Sequence, residues 1–208
     1  RSLNARPSIS AERAVLMTEY YRSRESQGLS IPMKRARSFQ YLMERKAICI
    51  NPDELIVGER GPQPKAVPTY PEICIHSLQD LDILNSRKYT HYDVPADVRD
   101  VYEKEIIPFW TGNSQRERIL GEMAPEWLDA YEAGMFTEFQ EQRAPGHTVL
   151  GDKIYRKGML DIQCDIREAI AALDFVHDPA AYDKREELKA MEICAGAVIH
   201  YAERHAEK

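Results

Sequence analysis

Met159-Leu-Asp-Ile-Gln-Cys-Asp-Ile-Arg-Glu-Ala-Ile-Ala-Ala-Leu173 carries Met159, Ile162, Ile166, Ile170 and Leu173 at steps of three or four residues. That period matches the α-helical turn and sets the five apolar side chains on one face. Asp178-Pro179 interrupts the pattern. Leu188, Met191, Ala195, Val198 and Ala202 then resume it. Two such helices across a short break can pack antiparallel. This stretch makes the chain mainly α, and the rest reads the same way.

Working outward, Ser8 and Ser10 offer caps for a helix running to about Arg24, with Ala14, Met17, Thr18 and Tyr21 on one face. Gly28 ends that unit. Pro32 suits the first turn of a second helix, which carries Phe39, Leu42 and Met43 inward and Lys34, Arg35 and Arg37 outward. Asn51-Pro52-Asp53 reads as a turn, and Leu55-Ile-Val57 is the best strand candidate. Pro62, Pro64, Pro68 and Pro71 exclude a helix over 61–73, so an extended connection is expected there, pinned against a larger body. Short helices are expected over 77–85, 95–107, 114–122 and 125–133. Pro95 and Pro125 stand at helix starts and Pro108 at a stop. Residues 134–152 form a second irregular stretch, and no internal repeat is present.

The 208 residues carry 28 Lys and Arg against 34 Asp and Glu, a formal net charge of −6, with 43% apolar and 30% charged residues. Such a chain is too apolar for disorder. Its interspersed charges lack the basic face that nucleic acid requires. No apolar run reaches membrane-spanning length, and the first residues lack an apolar signal core, so a cytoplasmic protein is expected. Cys49, Cys74, Cys164 and Cys194 are widely spaced, which fits buried, reduced thiols. The first residue is not Met, and Ala206-Glu207-Lys208 falls inside a helical pattern. A piece of a longer polypeptide is therefore the expectation.

Most familiar site patterns are missing. No HExxH pair occurs among the six histidines, and His200 and His205, five apart, splay around a helix, so no protein metal site is expected. Gly146–Gly151 has the glycine spacing of a phosphate loop, but Asp152 stands where that loop needs Lys and would repel phosphate. Neighbouring acids such as Glu103 and Glu105 read as a solvated face. One segment stands apart: irregular residues 134–152 hold Phe136 and Phe139 and place Arg143 and His147 around Pro145-Gly146. Loops rich in such residues often carry function. A surface loop whose His147 caps a helix or bonds a carbonyl accounts for the same residues.

Longer stretches carry a family resemblance. Ser8-Ile-Ser-Ala-Glu-Arg-Ala-Val-Leu-Met-Thr-Glu19, Leu55-Ile-Val-Gly-Glu-Arg-Gly61 and Pro68-Thr-Tyr-Pro-Glu72 resemble the pyruvate formate-lyase-like glycyl radical enzymes. Met123–Phe139, Gln142-Arg-Ala-Pro-Gly-His-Thr-Val149 and Ile154-Tyr-Arg-Lys-Gly158 are most similar to the trans-4-hydroxy-L-proline dehydratase branch. The resemblance spans essentially the whole chain. It implies that residues 1–208 are the N-terminal helical part of a larger α/β fold, a ten-stranded barrel of two parallel halves wrapped in helices. It also implies the chemistry. A radical-SAM activase installs a backbone glycyl radical, the radical passes to a cysteine, and the thiyl takes hydrogen from a small hydroxylated substrate. Activity as a dehydratase (a lyase) and a homodimer or larger assembly follow from the same resemblance.

Residue by residue, His147 matches the histidine that serves the leaving hydroxyl in dehydrating members, a role an imidazole suits near neutral pH. Phe139 matches an aromatic wall of the hydroxyproline pocket. Members that eliminate sulfite carry an amide at the His147 position. Arg143 is a candidate for an anionic group or for a structural role. The departures are as informative. The family's thiyl cysteine lies in Gly-Cys-x-Glu, and none of the four cysteines here has Glu two residues later. Its radical glycine lies in Arg-Val-x-Gly-Tyr, which is absent. The chain is thus expected to supply one wall of a site, with no cofactor held by its own residues and much apolar surface turned toward the rest of the enzyme. The alternatives are another eliminase of the family, acting on a diol or similar substrate, and a standalone helical interaction protein.

Overall fold

The computed structural model describes residues 6–52, 54–136 and 150–208. The chain forms two compact units, and the division falls inside the first helix.

The first unit takes in the chain up to Thr18 and from Glu59. Strand β1, Ser8–Ser10, pairs in parallel with β2, Ala66–Pro68, in the register Ser8 to Ala66 and Ser10 to Pro68. The Ile9 amide donates to the Asp93 carbonyl at 2.8 Å, which satisfies the other edge of β1. Ser8 is therefore a strand residue and caps nothing. Ser10 does the capping, its hydroxyl accepting from the Glu12 amide at 3.3 Å. Helix α1, Glu12–Arg22, follows, with Ala14, Met17, Thr18 and Tyr20 buried and Tyr21 only half-buried.

The proline-rich connection is pinned, as its composition suggests. β2 lies within it, and Ala66, Thr69 and Pro71 are buried. Helix α3, Leu78–Ser86, opens on a capping box. The Ser77 hydroxyl accepts from the Asp80 amide at 3.0 Å and the Asp80 carboxylate accepts from the Ser77 amide at 2.8 Å. Helix α4, Ala96–Val101, runs through a π turn, Tyr102–Ile106, into α5, Ile107–Trp110. Val98, Tyr102, Ile106 and Trp110, each four residues on, form one buried stripe. Pro108 does not stop this helix. The Ile107 amide reaches back to the Tyr102 carbonyl, and this wider turn makes room for a residue that has no N–H to give. Helices α6, Gln115–Glu122, and α7, Pro125–Glu132, close the described part of the unit.

The second unit runs from Glu19 to Gly58 and resumes from Leu150. Gly28, at φ +71°, makes the left-handed turn that separates α1 from α2, Ile31–Arg45. Helices α8, Met159–Ala171, and α9, Ala181–Glu207, both flank the same core, and α9 packs on α2 and on α8. Gln163 abuts Gly196 while Arg167 pairs with Glu192 at 2.6 Å, so α8 and α9 run antiparallel. Ser30 bonds Glu186 near one end of α2, and Arg204 serves the other end, so α2 and α9 run parallel. The Arg204 guanidinium donates to the Met43 and Lys46 carbonyls, the latter at 2.9 Å, supplying positive charge where the α2 dipole is negative.

Two further expectations fail. Leu55, Ile56 and Val57 form no strand and are exposed: an apolar triplet makes a strand only beside a partner edge, and within this unit it has none. The four cysteines form no disulfide, but none is fully buried. Cys164, on α8, is exposed, and Cys49, Cys74 and Cys194 are half-buried.

Candidate active site

Phe139, Arg143 and His147, the residues singled out from sequence, lie outside the described residues. The structure does show the segment's two flanks, one in each unit. On the first, α7 ends in a left-handed Gly134 (φ +74°), and Phe136 folds back on the helix. Its ring centroid is 4.8 Å from Trp127 and 5.7 Å from Tyr131, and Trp127 and Tyr131 stack at 5.4 Å. The spacing of Trp127 and Tyr131, four apart on a helix, creates this platform. Arg116 from α6 bonds the Tyr131 hydroxyl at 3.0 Å. On the second flank Leu150 adopts a left-handed conformation (φ 69°) before a 3-10 turn, Gly151–Tyr155. Asp152 and Arg156 pair across that turn at 2.5 Å.

The first unit also holds a half-buried polar cluster that sequence reading missed. The Arg13 guanidinium grips both Glu72 carboxylate oxygens, donates to the Thr69 carbonyl at 3.1 Å, and lies 3.9 Å from the centre of the Tyr70 ring. One α1 side chain thus clamps three residues of the proline-rich connection through charge, hydrogen bond and ring face. The available signal was Tyr70 and Glu72 side by side with prolines in a stretch that cannot form a helix, where an ordered Glu needs a cationic partner. Nearby, burial pushes the Tyr102 hydroxyl up to about 12, partly opposed by the Thr69 side chain. A phenol held neutral this firmly can donate a proton in a hydrogen bond but cannot serve as a base near neutral pH. The Trp110 indole N–H donates to the Thr18 hydroxyl at 2.9 Å, and that hydroxyl donates in turn to the Ala14 carbonyl at 2.7 Å. His76 sits before α3, its ring 6.5 Å from Tyr102; burial lowers it, against the opposing pull of Asp80. The cluster is a clamp: its charges face one another and leave no reactive pair.

Among the described residues no group of His, Cys, Asp and Glu could hold a metal ion. Burial raises the Cys194 thiol, with Arg35 opposing, so it is the opposite of an activated nucleophile. No helix among the described residues is long and apolar enough to cross a membrane.

Comparison with known proteins places this geometry in context. Residues 1–208 match the family described as pyruvate formate lyase-like. The chain is 50% identical over 207 residues to trans-4-hydroxy-L-proline dehydratase of Clostridioides difficile, covering 100% of this chain and 26% of that protein. It is 30% identical to isethionate sulfite-lyase of Nitratidesulfovibrio vulgaris, over 98% of this chain and 26% of the relative. Its fold superposes with a TM-score of 0.90 on the crystal structure of the C. difficile hydroxyproline dehydratase with trans-4-hydroxy-L-proline bound, covering 99% of this chain and 26% of that one. A Roseburia inulinivorans structure concerned with 1,2-propanediol dehydration gives a TM-score of 0.87 at 26% identity, over 99% of this chain and 24% of the other. The chain thus spans about a quarter of the length of the relatives it matches.

Proposed function

Because the chain belongs to the pyruvate formate lyase-like family, we propose that residues 1–208 form the N-terminal helical part of a glycyl radical lyase that dehydrates trans-4-hydroxy-L-proline or a close hydroxylated relative. The observation that carries this reading is the identity of 50% to a trans-4-hydroxy-L-proline dehydratase along the full chain, against 30% to a sulfite-lyase. The fold proposed for the longer protein is the ten-stranded α/β barrel, with these helices outside it. The catalytic cysteine loop and the C-terminal glycine domain lie elsewhere in that polypeptide. A radical-SAM activating enzyme, a homodimeric or larger assembly and a cytoplasmic location complete the proposal.

The glycyl radical supplies hydrogen abstraction. No residue of 1–208 fits as its bearer or as the thiyl cysteine, since Arg-Val-x-Gly-Tyr and Gly-Cys-x-Glu do not occur. The part assigned to this chain is binding and proton delivery. His147 donates a proton to the departing hydroxyl, Phe139 walls the substrate ring, and Arg143 meets an anionic group. The Trp127–Tyr131–Phe136 platform fixes the chain as far as Phe136, three residues ahead of Phe139 in sequence.

The test uses the full-length polypeptide, activated anaerobically. Electron paramagnetic resonance should show a glycyl doublet, and hydroxyproline should lose one water. No doublet after activation removes the radical reading. His147→Gln should cut kcat by about 100-fold or more, the usual scale of a lost general acid, and dehydration at the unaltered rate sinks its role.

A further inference from the structure

The second unit carries a long apolar groove that nothing in the proposed chemistry uses. Its floor is α9, where Ala190, Cys194 and Val198 recur at four-residue steps. Phe39 on α2 lines one side and Ile162 and Ile166 on α8 the other. The helix directions given above put α9 between a parallel and an antiparallel neighbour. That is three sides of a four-helix arrangement, with the position opposite α9 vacant among the described residues. The groove holds about 550 Å³. A cavity of about 150 Å³ takes one benzene-sized group, so there is room for three or four apolar side chains, the number that two helical turns present on one face. The exposed Arg35 and Glu187 stand on its borders, one of each sign, and Ile31 and Met191 extend its apolar lining to the surface.

We propose that this groove seats an amphipathic helix from the part of the same polypeptide outside residues 1–208. The inference rests on the reading above that this chain works within a longer enzyme. The relatives it matches are about four times as long, since it covers 26% of their length. An apolar groove this size is stabilised in water only when covered. The occupant lays aliphatic side chains against Ala190, Cys194 and Val198, and its polar flanks meet Arg35 and Glu187.

The test places a photo-crosslinking benzoylphenylalanine at Met191 in the full-length protein, prepared as a mixture of light and heavy isotopic copies. The expected product joins the Met191 peptide to sequence outside 1–208, always within one isotopic form. Light–heavy pairs would assign the groove to a second copy. Products with the activating enzyme would assign it to that partner. Products confined to 1–208, or none, would leave it open; each of these outcomes overturns the proposal. Alkylation of Cys194 gives an independent readout. In the folded full-length protein it should be at least about 30-fold slower than in the urea-unfolded protein, and unchanged on dilution. A smaller ratio, or one lost on dilution, also overturns the proposal. Absence of the glycyl doublet would sink the radical chemistry without altering either result.

Discussion

Arg13→Met tests the clamp on the proline-rich connection. Methionine keeps most of the stem and removes the charge, both bonds to Glu72, the bond to the Thr69 carbonyl and the contact with Tyr70. The Arg13 and Glu72 side chains are 17% and 21% exposed. Removing one partner of a fully buried pair costs about 3–5 kcal/mol. Glu72 retains some access to water, so the expected cost is about 2–3 kcal/mol. That cost should appear as local opening. The Ile73 and Cys74 amides donate to the Tyr70 carbonyl at 3.0 and 3.1 Å, and the Gln115 amide donates to the Glu72 backbone carbonyl at 2.9 Å. In the full-length protein, hydrogen exchange at these three amides should speed up roughly 30- to 150-fold, at tenfold per 1.4 kcal/mol. Arg99→Met is the control: its pair with Asp82 has side chains 39% and 62% exposed and should leave exchange unchanged within about threefold. If Arg13→Met also stays within threefold, the pair behaves as a surface ion pair and the clamp reasoning is wrong.

Three further outcomes follow from the same unit. Burial raises Tyr102 from 10.0 to about 12, so the unfolded chain loses this proton first. The neutral phenol's contribution is complete below pH about 10 and is lost as pH rises through about 12, a fall of about 2–3 kcal/mol. Urea midpoints of Tyr102→Phe should be flatter than the parent's across that window, and parallel curves would refute the assignment. Trp110→Phe removes the donor to Thr18 and should cost about 1–2 kcal/mol, read as a drop of several degrees in a calorimetric melt; an unchanged melt counts against it. Gly61→Ala would put a Cβ 2.6 Å from the Ala66 Cβ and against the Ala66 carbonyl, so β2 must shift at a cost of about 1–3 kcal/mol. Unaltered exchange at Ser8, whose amide bonds the Lys65 carbonyl next to β2, would show that the strand pair tolerates it.

Much of the helix inventory was legible because it rests on local physics. α8 and α9 follow from a 3.6-residue period, and the starts of α3, α6 and α7 follow from Ser77, Ser114 and Pro125. Errors came where a distant partner decides. Leu55–Val57 has strand composition and no edge to join, while Ser8–Ser10 and Ala66–Pro68 are unremarkable triplets that find each other across 58 residues, with Asp93 closing the far side. Pro108 reads as a stop, yet a π turn carries the helix past it to bury Trp110. For the candidate site, Phe139, Arg143 and His147 came from resemblance to long motifs, since a histidine in a loop has no periodicity to reveal its role.

The sequence by itself determined the helical class, most of the breaks between helices and the family, because these depend on spacing and on strings of neighbouring residues. It also determined that the thiyl and radical loops are absent from residues 1–208. Tertiary structure alone decided that Arg13 clamps Glu72, Tyr70 and Thr69, that Tyr102 is held neutral, and that α2, α8 and α9 leave a groove uncovered. Each of these depends on groups far apart along the chain meeting in a medium of low dielectric, and pair energies and burial there arise from proximity in space, which no local pattern encodes.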